Sequence, residues 1–172
     1  MPDIRPLSKD DALAALPDLC DTLADCVEGG ASLGFMSPFS PKDGEAFWRG
    51  VAEAVGRGEV LLYGAFVEDR LVGTVQVGFA LKPNQPHRGD LMKLLVHRDA
   101  RGLGLSKALM AAAEKGSAAA GRSLLVLDTA AGELAEGLYE KLGWQRSGMI
   151  PNYALFPDGR FCDTVIFWKT VA

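Results

Sequence analysis

Arg101-Gly102-Leu103-Gly104-Leu105-Ser106 stands between an apolar run, DLMKLLV (residues 90–96), and an alanine-rich run whose Leu105, Leu109, Ala112 and Ala119 mark a helix. A strand that turns through two glycines straight into a helix aims several backbone N–H groups at one point. The helix dipole adds positive potential there, and the missing side chains let an anion reach the main chain. A phosphate can bind such a turn without any dedicated side chain. Arg98, Arg101 and Lys107 concentrate positive charge around it, with only Asp99 opposing, although the 172 residues sum to a net charge of −4. That local inversion favours an anionic cofactor over an anionic macromolecule. A glycine-rich turn that binds nothing is the plainer reading of the motif taken alone.

The acidic total carries no electrostatic footprint for nucleic acid or for an anionic membrane surface. Apolar residues make up 48% and charged residues 23%, ordinary for a globular chain, so a core can form without a disulfide or a structural metal. The length suits one domain over residues 1–172. Cys20, Cys26 and Cys162 are odd in number and form no CxxC pair, which fits reduced thiols. His87 and His97 are the only histidines, and both read as exposed residues near turns; no metal site and no Ser/His/Asp triad is expected from them. No stretch approaches 18 uninterrupted apolar residues, and Met1 to Asp11 lacks a basic-then-apolar leader pattern. The expected location is the cytoplasm.

Along the chain, residues 4–7 can form a short edge strand, and Ser8 with Asp11 opens a helix whose Leu13, Leu16, Cys20, Leu23 and Val27 recur at helical spacing. Pro17 should kink or divide it. Gly29 to Ser40 reads as a loop carrying Phe35, Met36 and Phe39, and Ser40-Pro41 starts a second helix with Phe47, Trp48, Val51 and Val55 inward. From Glu59 the period becomes two: a hairpin turning at Glu68-Asp69-Arg70, then the strand at 90–96. After the 105–119 helix come the strand SLLVLDT, a short helix with Leu134, Leu138 and Leu142 on one stripe and Gly143 just past it, and a second hairpin turning at Pro157-Asp158-Gly159-Arg160. The order β-α-α-β-β-β-α-β-α-β-β implies an α/β (α+β) fold, a mixed and mostly antiparallel central sheet flanked by about four helices.

Three phosphate-loop patterns compete for the glycine-rich turn. The Walker loop GxxxxGK(S/T) is absent. A dinucleotide fingerprint would need a third glycine where Lys107 stands, and a hairpin precedes the turn where a parallel βαβ unit should open. The third, (R/Q)xxGx(G/A/S), is met by Arg101, Gly104 and Ser106. It is the pyrophosphate loop of the GNAT acyl-CoA transferases, and MKLLVHRDARGLGLSKALM resembles their core motif. LLVLDT followed by AEGLYEKLGW resembles their next strand and helix. One departure is Arg98, where many members carry proline. Gly29 to Met36, Lys82-Pro83-Asn84, Leu127 to Gly132, Ala135-Glu136 with Tyr139, Pro151 with Tyr153, and Pro157 to Gly159 are similar to the tabtoxin resistance acetyltransferase group, a toxin-resistance function.

The resemblance implies a GNAT acyl-CoA N-acyltransferase fold with splayed central parallel strands. It implies acetyl-CoA as cosubstrate, no metal, and a small amine as acceptor by direct attack in a ternary complex. Acyl-CoA sensing without catalysis and acetylation of protein N-termini or lysines are the other functions such a chain could serve. Partners would be a small-molecule amine, no nucleic acid and no membrane, with the chain a monomer or homodimer. The cofactor loop would be Arg101, Gly102, Leu103, Gly104, Leu105, Ser106 and Lys107. Main-chain groups of Leu94, Leu95 and Val96 would face the pantetheine arm and the thioester oxygen, one N–H stabilising the developing oxyanion. Tyr139 would meet the leaving sulfur, unless it merely packs with its hydroxyl in solvent.

Asp128, at a strand end that points into the same cleft, is the leading carboxylate for the acceptor. A free aspartate (~3.9) and an alkylammonium (~10.4) differ by ~6.5 pKa units, or ~9 kcal/mol, so orientation of the ammonium with a water relay is favoured over direct deprotonation. Asp128 with Thr129 could equally cap the following helix. Glu133 and Asp90 are reserve carboxylates. Phe35, Met36 and Trp144 are expected to wall the acceptor pocket, or else to be buried in the core.

Overall fold

The computed structural model describes residues 2–172. Its elements are β1 (Asp3–Pro6), α1 (Lys9–Ala14), α2 (Leu16–Glu28), α3 (Pro41–Gly56), β2 (Val60–Val67), β3 (Arg70–Phe79), β4 (Arg88–Val96), a 3-10 turn (Arg98–Ala100), α4 (Leu105–Ala119), β5 (Leu124–Ala130), α5 (Leu134–Lys141), β6 (Gln145–Leu155) and β7 (Phe161–Thr170). The first predicted helix is divided, as the Pro17 reading allowed. Ala15 closes α1, and Pro17 sits in the first turn of α2, where its missing N–H removes no helix bond. Five helices therefore stand where about four were expected. Both predicted caps are present: Ser8 and Asp11 bond reciprocally, and the Ser40 hydroxyl accepts from the Asp43 amide.

The seven strands form one sheet in the order β1-β2-β3-β4-β5-β7-β6. Every neighbouring pair is antiparallel except β4–β5. The β2–β3 hairpin turns on Glu68 and Asp69, both at positive φ, the two-residue geometry that matches strand twist. Alternation along the strands feeds two cores. Leu62, Phe66 and Leu71 join Leu19, Leu23, Trp48 and Ala52 under α1–α3, whereas Ala65, Val75 and Val77 join Leu109, Met110 and Ala113 under α4 on the other face.

The parallel pair is short and decides where the site lies. β4 and β5 are in register only from Arg88↔Leu124 to Asp90↔Val126, and past Asp90 they separate. On the other side of β4, Thr74 faces Leu95 while Gln76 faces Met92, so two steps of β3 span three of β4. The surplus residue is absorbed at Lys93, whose φ is +53°. This bulge bends β4 away from β5 and leaves its main chain from Leu91 onward without a strand partner on the β5 side.

Candidate active site

A cleft of about 640 Å³ fills the wedge between the two strands, within the size range of small-molecule sites. Its floor is Leu91 to Val96 on β4 and Asp128 to Ala130 on β5; Gly29 to Leu33 form one wall and Glu133, Leu134, Ala135, Leu138 and Tyr139 another. At one end lies the glycine-rich turn, with Arg101, Gly102, Gly104, Leu105, Ser106 and Lys107 all lining the cleft. Leu103 departs from expectation. It is 53% exposed and outside the lining, because two left-handed residues on either side turn it outward.

Gly102 (φ +81°) and Gly104 (φ +74°) hold a conformation that side chains disfavour, and a Cβ built on either would touch nothing within 4 Å. Local packing therefore does not require glycine here; the backbone conformation and an open approach to the main chain do. Gly104 is the N-cap of α4 and supplies no capping side chain, and no acidic residue occupies the first turn. The opening amides of a 15-residue helix thus face the cleft unsatisfied. A cradle of this kind fits a pyrophosphate.

Arg98 does not add its charge to that cradle as the sequence suggested. Its guanidinium and its backbone N–H both donate to the buried carboxylate of Asp25 on α2. Arg101 and Lys107 are the cations that line the cleft at the turn. Burial pushes the Asp25 carboxyl up, but the Arg98 amide and guanidinium outweigh it and hold it below the usual carboxylate value. The pair ties α2 to the 3-10 turn that leads into the cradle, and its amide donor is one that proline at this position would lack.

Asp25→Ala should lower the melting temperature by about 3–10 °C, from the ~1–3 kcal/mol cost of leaving those donors unpaired. Because the folded-state pKa of Asp25 is depressed, its contribution is complete above the unfolded value of ~3.9 and disappears as pH falls through the folded value. Thermal unfolding as a function of pH should show the two proteins converging in acid; a constant gap down to pH ~2 would contradict the assignment.

Tyr139 is the one fully buried residue of α5, packed against Trp144 and Phe167 while reaching the cleft. Burial, with a smaller effect of the Asp128 charge, pushes its hydroxyl up to about 12. The leucine stripe is not the inner face of that helix. Leu134 is 96% exposed and Leu138 half-buried at the cleft wall, because the start of α5 lies on the rim; only Leu142, at its far end, packs against the core. Asp128 lies two residues before the end of β5 and lines the cleft. It does not cap α5, whose N-cap is Glu133, five residues further on. Glu133 also lines the cleft, whereas Asp90 is paired to Arg88 at 2.5 Å at the closed end of the wedge.

The three aromatic and apolar residues expected to wall the acceptor pocket lie outside it. Phe35 packs edge-on against Phe39 and Phe47 in the α3-side core, and Met36 is exposed beyond them. Trp144 is buried beneath Tyr139, its indole N–H donating to Glu114 at 2.9 Å. The segment that does reach the cleft is the preceding Gly29 to Leu33, held down by the Ser32 hydroxyl on the Leu155 carbonyl (3.1 Å) and the Ser37 amide on the Pro157 carbonyl (3.0 Å). His97 is buried, not exposed: its Nδ1 accepts from the Asp99 amide, and Asp21 stands 3.5 Å from Nε2. Among the cleft residues not expected from the sequence, two are ionisable, Cys26 and Lys93. Burial, then Asp25, raises the Cys26 thiol, which donates to the Val96 carbonyl.

The acetyltransferase (GNAT) family profile matches residues 25–144, from the Asp25 clamp through the cradle to Trp144. The chain belongs to the GNAT acetyltransferase family. An uncharacterized N-acetyltransferase of Azospirillum brasilense, encoded in the hisH-hisA intergenic region, is 30% identical over 115 residues, covering 66% of this chain and 67% of that one. Among solved structures, a protein of Acinetobacter baylyi ADP1 described as a putative acetyltransferase superposes with a TM-score of 0.81 at 26% identity, over 99% of this chain and 93% of that one. A GNAT-superfamily phosphinothricin acetyltransferase of Sinorhizobium meliloti, solved with acetyl-CoA, gives 0.81 at 16% identity over 99% and 89%. The splayed parallel pair and the seven-stranded mixed sheet are thus the acetyltransferase fold expected from the sequence.

Proposed function

We propose that this acetyltransferase moves the acetyl group of acetyl-CoA onto a small amine by direct attack, both substrates being held in the β4–β5 cleft. The observation that carries the reading is the continuity of one cleft from the glycine cradle, past the unpaired main chain of β4, to Tyr139 and Asp128. When bound, acetyl-CoA supplies an activated acyl thioester. The cradle amides of Leu105 to Lys107, with Arg101 and Lys107, hold its pyrophosphate. Backbone N–H groups within Leu94 to Val96 stabilise the charge that develops on the carbonyl oxygen, in a wedge where no strand competes for them.

Asp128 receives the acceptor ammonium and orients it, the excess proton leaving through water. Tyr139, kept neutral by its burial, donates a hydrogen bond to the departing sulfur. Direct attack is supported by the state of the one cleft cysteine: Cys26 is a protonated, buried thiol bonded to a carbonyl, not an activated nucleophile. The pinned Gly29 to Leu33 segment beside the opening favours a small acceptor over a protein chain.

Thiol release from acetyl-CoA across amino acids, β-lactam amino acids, polyamines and aminoglycosides tests the proposal. Turnover with at least one small amine is expected; acetyl-CoA binding with no release in the presence of any of them would leave a sensor instead. Asp128→Asn should raise the acceptor KM by about 10–100-fold, the equivalent of ~1.5–3 kcal/mol for a charged hydrogen bond, and leave the acetyl-CoA KM unchanged. An equal loss at all acceptor concentrations with constant KM would assign Asp128 to proton transfer.

A further inference from the structure

Lys93 is the least expected residue of the cleft. It sits at the β4 bulge with φ +53°, lines the cleft, and is mostly withdrawn from solvent. Its ammonium lies 5.5 Å from the ring centroid of Phe47, a weak cation–π contact. It makes no hydrogen bond or ion pair among the described residues, whereas Lys9 and Lys169 are paired to carboxylates. Three N–H donors held near an aromatic ring are costly to leave without an acceptor. Burial accordingly lowers the Lys93 pKa, and the nearby charge of Asp128 partly restores it.

Asp128 is thus close enough to act on Lys93 yet does not pair with it. The cleft presents a cation and an anion on its two diverging strands with room between them. We propose that Lys93 binds a carboxylate of the acceptor while Asp128 binds its ammonium, so that the acceptor class is a free amino acid. This rests on the acetyl-transfer reading above. A monoanion is favoured over a phosphate because the ligand must also lie beside Asp128, and a dianion would meet that charge at short range. The anion-binding end of the cleft at Gly102 to Lys107 is separate, being built from backbone amides and not from this bulge.

The test compares amino acids with their carboxamides, which keep the amine and lose the carboxylate charge, using full-length wild type, Lys93→Met and Lys93→Arg in the thiol-release assay. Wild type should prefer amino acids. Lys93→Met should lose about tenfold or more in kcat/KM toward amino acids and little toward carboxamides, with the acetyl-CoA KM unchanged, and Lys93→Arg should recover part of the loss. The ratio of the two losses cancels differences in intrinsic amine reactivity.

Equal losses on both acceptor sets, a raised acetyl-CoA KM in Lys93→Met, or a wild-type preference for carboxamides would each overturn the assignment. The wild-type preference is informative even if neither variant folds. Turnover of simple amines with indifference to a carboxylate would sink this inference and leave acetyl transfer standing, whereas no turnover of any amine would remove both.

Discussion

Gly104→Glu is expected to abolish measurable saturation with acetyl-CoA, raising its KM by at least about 100-fold, ~2.7 kcal/mol, while the protein remains folded. Two effects add. Position 104 is left-handed at φ +74°, which costs a non-glycine residue about 1–2 kcal/mol of backbone strain. The new carboxylate would also stand at the mouth of the α4 amides, where it can cap the helix and occupy the place of a phosphate oxygen. The cap partly offsets the strain, and the free space around Gly104 means that no core contact is disturbed. The loss should therefore fall mainly on cofactor affinity, with the melting temperature lowered by only about 2–4 °C. Gly104→Ala separates the two effects: strain without charge should cost only about tenfold. Isothermal titration with CoA and thermal unfolding decide the matter; an unaltered CoA affinity in Gly104→Glu would remove the cradle from the site.

How far the sequence could be read depends on the kind of signal each residue gives. Period-two and period-3.6 runs are summed over many residues, so the hairpins, the caps at Ser8 and Ser40 and the strand-to-helix turn at Arg101 to Ser106 were all legible. The left-handed turn at Gly102 and Gly104 was also legible, because glycine announces such a main-chain conformation. Lys93 was not, since a single charged residue in DLMKLLV fits an ordinary strand; only the register against β3 shows that it carries the surplus residue and a positive φ. Phe35 and Trp144 show the opposite failure. A large apolar side chain near a site looks the same whether it faces a ligand or the layer beneath it, and here both belong to that layer. His97 and Arg98 were misjudged together, because Asp21 and Asp25, which draw them inward, lie more than 70 residues earlier in the chain.

Tyr139→Phe carries the largest expected effect on the chemical step. With its hydroxyl at about 12, Tyr139 stays protonated throughout the working range. Complete proton transfer from a group near 12 to a thiolate of ~8.5 would be uphill by about 5 kcal/mol, although burial of the thiolate narrows the gap. A donated hydrogen bond needs no such transfer. A bond to a charged acceptor contributes about 1.5–3 kcal/mol, so removal of the hydroxyl should lower kcat by roughly 10–100-fold. The acetyl-CoA KM should change little, because the neutral thioester sulfur is a poor acceptor before the bond breaks. The ring remains to pack against Trp144 and Phe167, so the fold should be retained. The pH dependence is the sharper test. A phenol that acted by ionising near its ordinary value would give wild type an alkaline limb in kcat close to pH ~10 that the phenylalanine variant lacks. Since burial keeps the proton on Tyr139 until about pH 12, no such limb should separate the two profiles between pH 7 and pH 10, and they should run parallel with a constant offset. Converging profiles in that range, or an unchanged kcat at neutral pH, would take the leaving sulfur away from Tyr139.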